Sequence, residues 1–281
     1  MRRILPVAAA AIALLAFAPA AVAPLSRAPA PAEARPAVEA AARGLRAWRP
    51  RTAAARAYAR TRSGIVAFSV RTAHRRAGLR EHARFSSASV VKAMLLVAYV
   101  RQPSVRRRAL SGAERSMLAP MIHWSSNDDA SRVSVALGAL ALPALARRAG
   151  MRHFSDGGPV WGASQITAAD QTRFFLRLDR LLPRRHRAYA LGLLRGIVPS
   201  QRWGVARVTP RGWRLHFKGG WTSAVEHQVA LLTRGRERVA VAVLTAGSPG
   251  AAYARATQEG VSRRLLRGLE GELRGRWRRG P

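Results

Sequence analysis

A serine and a lysine stand three positions apart in the stretch SSASVVKAMLL, residues 86–96, as Ser89 and Lys92. The chain has 49 basic residues, and only Lys92 and Lys218 among them are lysine. Residues at i and i+3 of a helix share a face, which brings the Lys92 amine near the Ser89 hydroxyl. A buried lysine can serve as the base that a serine nucleophile needs, whereas arginine stays protonated. The pair therefore predicts nucleophilic acyl transfer; a helix-capping serine beside an exposed lysine is the alternative.

A second polar stretch is HWSSNDDAS, residues 123–131. Its Ser125 hydroxyl and Asn127 amide stand two residues apart, just before a helical segment. These two groups are suited to relaying a proton and holding a substrate amide. Capping of the following helix is the alternative use of the same side chains.

A third stretch, HFKGGWTS, covers residues 216–223. A strand carries Lys218, and Gly219 and Gly220 follow it. The glycines allow a ligand to approach the strand edge, where Lys218 supplies a cation that can hold a carboxylate. The alternative is a strand that simply ends in a glycine turn.

The spacing of apolar residues changes along the chain and indicates which elements position these residues. Alternation in GIVAFSVRTAH is typical of a strand, RRAGLREHARFSS is expected to return as a second strand after a turn, and three more strands are predicted after Gly204. Helices are predicted at 51–62, from Ser89 to about Val100, through most of 105–190, and at 251–275. The expected fold is α/β of the α+β kind, an antiparallel sheet of about five strands flanked by helices, plus a mostly helical lobe. A cleft between two such lobes is a common place for a site.

In chain order the motifs are Ser-x-x-Lys at 89–92, Ser-x-Asn at 125–127 and Lys-Gly-Gly at 218–220. This order resembles the penicillin-recognising serine enzymes, namely the class A β-lactamases and the D,D-peptidases, over about residues 55–275. The resemblance implies a β-lactamase/transpeptidase-like fold that works without a cofactor. It also implies that the partner is a small-molecule β-lactam or a peptidoglycan-like peptide.

The resemblance implies catalytic roles for three side chains. Ser89 would be the acylated nucleophile, Lys92 would activate it, and Ser125 would pass a proton to the leaving nitrogen. The backbone N–H groups of Ser89 and Trp221 would form the oxyanion hole.

The resemblance also implies substrate contacts. Asn127 would hold the side-chain amide of the substrate, and Lys218 would attract its carboxylate and tune the serine of the second motif. Gly219 and Gly220 would complete the binding strand. Gly219 departs from the family, which usually has Ser or Thr there, so a hydroxyl contact to the carboxylate is missing unless Thr222 or Ser223 replaces it.

Two further departures concern acidic residues. Ser126 occupies the middle of the second motif, where class A enzymes usually carry aspartate. Residues 130–169 contain no glutamate to act as the deacylation base, and their one acid, Asp156, fits a turn. We therefore expect an enzyme that is acylated at Ser89 by β-lactams and hydrolyses the acyl-enzyme slowly. The alternatives are a D,D-peptidase-like enzyme, a penicillin- or peptidoglycan-binding protein without turnover, and a basic surface-binding protein without chemistry.

The N-terminus predicts export. Residues 1–23 have a basic start, an apolar run and small residues, the layout of a signal peptide, with an uncleaved anchor as the alternative. Residues 24–50, rich in Ala, Pro and Arg, are predicted to be a linker. Residues 51–281 are then the β-lactamase-like domain, located outside the cell or in its envelope.

Composition narrows the remaining function classes. The chain has no cysteine, which excludes disulfides and thiolate metal sites. The formal net charge of +35 predicts loose contact with anionic cell-wall polymers, whereas no motif indicates specific nucleic-acid binding. None of the seven histidines is spaced for a metal, and His227, in a predicted strand, is expected to be structural, with a place near the cleft as the alternative. We expect a monomer.

Overall fold

The computed structural model describes residues 47–270 together with Leu45. The signal peptide predicted at 1–23, and most of the linker predicted at 24–50, lie outside the described residues. Trp48, inside that linker, is buried, and its indole N–H donates a 3.1 Å hydrogen bond to the carbonyl of Arg267. Trp48 therefore packs against the folded domain.

The described residues contain strands, α-helices and short 3₁₀ helices. The strands are β1 Ile65–Arg71, β2 Arg76–Leu79, β3 Phe85–Ser86, β4 Gln165–Ile166, β5 Arg214–Trp221, β6 Val225–Arg234 and β7 Glu237–Ala246. The α-helices are α1 Thr52–Arg60, α2 Lys92–Arg101, α3 Gly112–His123, α4 Asn127–Leu137, α5 Ala141–Ala149, α6 Ala168–Leu176, α7 Leu178–Leu181, α8 Arg184–Arg195 and α9 Ala251–Leu266. The 3₁₀ helices are Ala88–Val91, Trp161–Ala163, Pro199–Gln201 and Gly204–Val208.

Five strands form one antiparallel sheet in the order β2-β1-β7-β6-β5, which confirms the predicted sheet. β6 and β7 join through a tight turn in which Gly235 has a positive φ of 54°, a conformation open to glycine at little cost. β3 and β4 pair separately as a two-stranded sheet. The order places β5, which carries the third motif, at an edge.

Helices cover the large sheet on both faces. β6 and β7 are buried along almost their whole length. Because successive residues of a strand point to opposite faces, both faces of the sheet are covered there. α6 packs against β1, β6 and β7, while α9 packs against α1 and also contacts β6 and β7. α6 and α9 both pack against β6 and β7 but not closely against each other, so they lie on opposite faces of the sheet.

The helical lobe is built around α2. Every residue from Lys92 to Val100 is buried, as expected of a helix that is apolar on all sides and enclosed by others. α3, α4, α5 and α8 surround it, which confirms the predicted lobe. Among the described residues no single helix is long and apolar enough to cross a membrane, although α4 and α5 taken together, across an 88° bend, pass that test.

Two helix boundaries differ from the sequence prediction. Ser89 belongs to the 3₁₀ helix Ala88–Val91, and the α-helix itself begins at Lys92. The last helix ends at Leu266 instead of residue 275, and Gly268 follows with a φ of 89°, which breaks helical geometry.

Candidate active site

Ser89 lies on a short turn between β3 and α2, where the two lobes meet. Val90 and Val91 are buried, whereas Ser89 stays partly exposed. The preceding Ala88 has a φ of 45°, a conformation that non-glycine residues rarely adopt and that concentrates at functional sites. The turn therefore presents the Ser89 hydroxyl to the cleft and sends α2 inward.

Lys92 is fully enclosed, and its amine is held by the second motif. Nζ donates to the carbonyl of Ser125 at 2.5 Å, to Ser125 Oγ at 3.2 Å and to Asn127 Oδ1 at 2.8 Å. Burial lowers the pKa of Lys92 to about 8, with Asp129 acting weakly in the opposite direction. A neutral amine is thus accessible near neutral pH. No hydrogen bond joins Lys92 Nζ to Ser89 Oγ in the described part of the chain.

Ser125 bridges the two lysines of the protein. Its φ of 64° is left-handed, and its Oγ also accepts a 3.1 Å hydrogen bond from Lys218 Nζ. The alternative role in capping α4 falls to Ser126, whose side chain accepts from the backbone N–H of Asp129. Ser125 therefore keeps its hydroxyl for the lysines and the cleft.

Lys218 is the second fully enclosed amine. It donates to Ser125 Oγ and, at 2.9 Å, to the carbonyl of Gly219. Burial, followed by the charge of Lys92, moves the pKa of Lys218 well below its usual value. No carboxylate forms a salt bridge with either lysine within residues 47–270. Two buried amines without a counter-ion favour loss of one proton or arrival of an anion.

Gly220 brings the edge strand into contact with the Ser89 turn. A Cβ on Gly220 would lie 2.7 Å from the Ser89 nitrogen and 2.6 Å from the Val90 nitrogen, closer than real Cβ atoms come to backbone. Glycine is therefore required, which fits its predicted place in the binding strand. Trp221, the last residue of β5, is 37% exposed beside this contact.

Gly219 faces an aromatic ring where the family usually has a hydroxyl. A Cβ on Gly219 would lie 3.1 Å from the indole of Trp203, which packs edge-on against Trp221 with ring centroids 5.3 Å apart. Of the two hydroxyls proposed as replacements, Thr222 Oγ1 accepts from the N–H groups of the next turn. Ser223 is exposed. The structure thus fills this position with a tryptophan.

The loop between α5 and α6 closes the site from the side of Lys92. The Trp161 ring lies over Lys92 Nζ, 4.8 Å from atom to centroid, and its N–H donates to Ser131 Oγ at 3.2 Å. Ser87, next to the turn, donates from its backbone N–H to the carbonyl of Ser164 at 2.7 Å. The aromatic ring is thus fixed against the amine by contacts to α4 and to the Ser89 turn.

Asp156 takes no part in this group. Its carboxylate accepts a 3.3 Å hydrogen bond from Ser164 Oγ inside the loop. Among the described residues, no carboxylate is hydrogen-bonded to Ser89 or Lys92. Asp156 thus behaves as the turn residue that the sequence indicated.

His227 lies beneath the site on β6, paired in register with Gly220. It is fully buried, and its Nε2 is 3.0 Å from the carbonyl of Ser86. Burial lowers its pKa to about 4, so the ring is neutral near neutral pH. His227 therefore links the sheet to the segment that enters the Ser89 turn. It has a structural role and also lies near the cleft, the two alternatives that the sequence left open.

The sequence placed Trp161 and Trp203 in the core or the cleft wall, but it did not indicate that Trp161 lies over Lys92 or that Trp203 faces Gly219. Trp161 begins a 3₁₀ helix of three residues and Trp203 directly precedes another, and neither stretch has a periodicity that indicates which way the side chain points. Composition held only one weak signal, a high number of tryptophans near the motifs.

A five-stranded antiparallel sheet beside a helical lobe, with the motifs at their junction, defines a β-lactamase/transpeptidase-like fold. The chain belongs to the β-lactamase enzyme family, whose model matches residues 115–269. That range contains Ser125, Asn127 and Lys218 but begins after Ser89 and Lys92. No match is found among curated proteins.

Solved structures share this fold. A β-lactamase from Sphaerobacter thermophilus is 21% identical with a TM-score of 0.68, covering 76% of this chain and 95% of that one. PBP-A is 16% identical with a TM-score of 0.66, covering 79% and 97%. A class A β-lactamase from Mycobacterium abscessus is 18% identical with a TM-score of 0.66, covering 78% and 99%.

Proposed function

We propose that the protein is an exported serine acyl-transfer enzyme of the class A β-lactamase type, acylated at Ser89 by β-lactams. The observation that carries this proposal is the convergence of two buried lysines on Ser125, in the cleft that the partly exposed Ser89 faces. Within residues 47–270 no carboxylate forms a salt bridge with either lysine, so their arrangement there is not that of a structural ion pair. Family membership supports hydrolase chemistry.

The hydrogen bonds around Lys92 indicate how a proton would move. As an ammonium, Lys92 has three donors, and all three have acceptors in the structure. When it is neutral, one contact must reverse, and only the Ser125 hydroxyl among them can donate. Lys218 supports this reversal because it already donates to Ser125 Oγ.

Acylation would require Ser89 Oγ and Lys92 Nζ to come within hydrogen-bond reach of each other. Neutral Lys92 takes the proton of Ser89 as Oγ attacks the lactam carbonyl, and the C–N bond of the ring breaks as the tetrahedral intermediate collapses. Ser125 passes a proton to the leaving nitrogen and recovers one from Lys92. The N–H groups of Ser89 and Trp221 would stabilise the oxyanion, and contact between Gly220 and the turn supports their closeness.

Substrate binding would use the groups that remain free. The carboxylate of the substrate provides the anion that Lys218 lacks. Asn127 Oδ1 accepts a hydrogen bond from Lys92 Nζ, which leaves the NH₂ of Asn127 to donate to the amide carbonyl of the substrate.

We further propose that hydrolysis of the acyl-enzyme is slow. Deacylation needs a base that activates water, and no carboxylate in the described chain is bonded to Ser89 or Lys92. The Trp161 ring covers Lys92 from the loop side and leaves little room for water there. The same observation favours the second candidate, a D,D-peptidase-like or penicillin-binding protein that retains its acyl group.

A fluorescent penicillin tests the proposal. The purified protein should become covalently labelled, and Ser89→Ala should remove the label. Ser126→Ala is the matched control, since Ser126 caps α4 without contacting the lysines, and it should label like the wild type. Nitrocefin measures turnover: slow hydrolysis with a persistent label supports the proposal, whereas absence of label in the folded protein contradicts it.

Export through residues 1–23 is also part of the proposal, as is monomeric action near anionic wall polymers. N-terminal sequencing of protein recovered outside the producing cell tests export. A start at residue 21 or 24 is expected, and protein confined to the cytoplasm would contradict it.

A further inference from the structure

Four arginines lie around the end of β1, on the part of the sheet that is far from the candidate active site. They are Arg71 on β1, Arg76 on β2, Arg173 on α6 and Arg177 directly after α6, and we call them the arginine cluster. β1 is separated from β5, which carries Lys218, by β7 and β6. The cluster is therefore distinct from the candidate active site.

The fold forces these side chains together. Thr172 on α6 donates to Ser69 on β1 at 3.2 Å, so Ser69 points to the face that α6 covers. Arg71 is two residues further along the strand and shares that face. Arg76 is its direct partner across the antiparallel pair, and directly opposed residues project to the same side.

Two members are held by the end of helix α5. Arg173 donates to the carbonyl of Gly150, and Arg177 donates to the carbonyl of Ala149 at 2.9 Å. A helix C-terminus attracts cations, which explains why these two guanidinium groups sit side by side. Each bond uses one nitrogen of its group, and within residues 47–270 the other guanidinium donors of these two arginines make no further hydrogen bond.

The positive charge of the cluster is poorly compensated. Among the described residues, the carboxylate bonded to it is Glu81, whose Oε1 lies 3.2 Å from Arg76 Nε and whose Oε2 accepts a hydrogen bond from Ser69. Arg71 has two buried nitrogens, Nε and Nη2, that lack a hydrogen-bond partner among the described residues. Burial and the charges of Arg173 and Arg76 lower the pKa of Arg71. Buried donors without acceptors, surrounded by like charge, are costly unless an anion joins them.

We propose that the arginine cluster is a binding site for a phosphate-type oxyanion. Guanidinium groups bind such anions in paired, charge-assisted hydrogen bonds, and a tetrahedral oxyanion has oxygens enough for the free donors of several arginines. The ligand is either free phosphate or a phosphodiester of an anionic polymer. Both present the same oxygens to Arg71.

Calorimetric titration with inorganic phosphate at constant ionic strength, balanced with chloride, tests the site. The wild type should bind with a saturable stoichiometry near one, and Arg71→Gln should weaken the affinity about ten-fold or more. Arg184→Gln, an exposed arginine at the start of α8, is the matched control and should match the wild type. Arg76→Gln, which replaces the exposed side chain that begins β2, provides a second variant and should also weaken binding.

Equal binding by Arg71→Gln and Arg184→Gln, or no saturable binding above the effect of chloride, would overturn the proposal. An oligomer of glycerol phosphate distinguishes the two sources. If it binds more tightly than phosphate at equal phosphorus concentration, and Arg71→Gln removes that gain, the ligand is the polymer. If it binds no more tightly, the ligand is free phosphate.

Discussion

Replacing Gly220 by alanine should disable acylation without touching any reacting side chain. The added Cβ would meet the nitrogens of Val90 and Ser89 at 2.6 and 2.7 Å, and the carbonyl oxygen of Ser87 at 3.0 Å. All three atoms are backbone, so no side chain can rotate away. An ordinary carbon–nitrogen contact is roughly 3.4 Å, and β5 must therefore move from the turn by roughly 0.8 Å.

Such a movement separates the two N–H groups proposed for the oxyanion hole. Misplacement by about 1 Å costs on the order of 10²-fold in rate, and overpacking costs about 1–3 kcal/mol of stability. Gly220→Ala should therefore lower the rate constant of acylation by about 10²-fold and the free energy of unfolding by about 2 kcal/mol. Stopped-flow labelling with a fluorescent penicillin and urea unfolding measure the two quantities.

Gly219→Ala is the matched control, one residue away on the same strand. Its Cβ would meet the Trp203 side chain at 3.1 Å, and a side chain can shift by a few tenths of an ångström. The loss of rate should be several-fold at most. Acylation of folded Gly220→Ala at the wild-type rate would refute the reasoning that β5 and the Ser89 turn form one unit.

Substitutions at three other positions test the remaining parts of the site. Lys92→Arg should slow acylation by about 10²–10⁴-fold because arginine accepts no proton, and penicillin labelling at equal fold content measures it; wild-type labelling would contradict the base role. Trp161→Ala should shorten the lifetime of the penicillin adduct on the order of ten-fold by admitting water, while Trp161→Phe should retain it; mass spectrometry over time distinguishes them, and equal lifetimes would dismiss the shielding role. His227 has a pKa of about 4 in the folded protein, so below pH 6.5 the unfolded chain takes up its proton first and stability falls. Between pH 7 and 4 the wild type should lose about 3 kcal/mol more unfolding free energy than His227→Gln, measured by urea titration, and parallel pH curves would contradict this.

The sequence predicted the two-lobed fold because its periodicity changes from strand to helix and back where the lobes change. It also indicated which side chains meet, since Lys92, Ser125 and Lys218 are tied to motifs whose order along the chain suits one cleft. The rare lysines were the strongest clue. A polar pair that capping explains, such as Ser125 with Asn127, gained meaning only when both lysines were seen to reach it.

The remaining features depend on three-dimensional contacts that no local pattern encodes. The left-handed conformations of Ala88 and Ser125 occur at residues that seldom adopt them, so the sequence gives no sign of them. The Trp161 ring reaches Lys92 across a loop, where side-chain direction is set by packing. Ser126 caps α4 and Ser125 does not, a difference that the general capping preference of serine cannot predict.

Mass spectrometric mapping of the penicillin-treated protein tests the central claim most directly. The account predicts one adduct with the mass of the intact antibiotic, on the peptide that contains Ser89, and its persistence over many minutes. It also predicts no adduct in Ser89→Ala that remains folded. An adduct on another residue, or an unmodified Ser89 under conditions that saturate known penicillin-recognising enzymes, would contradict the account.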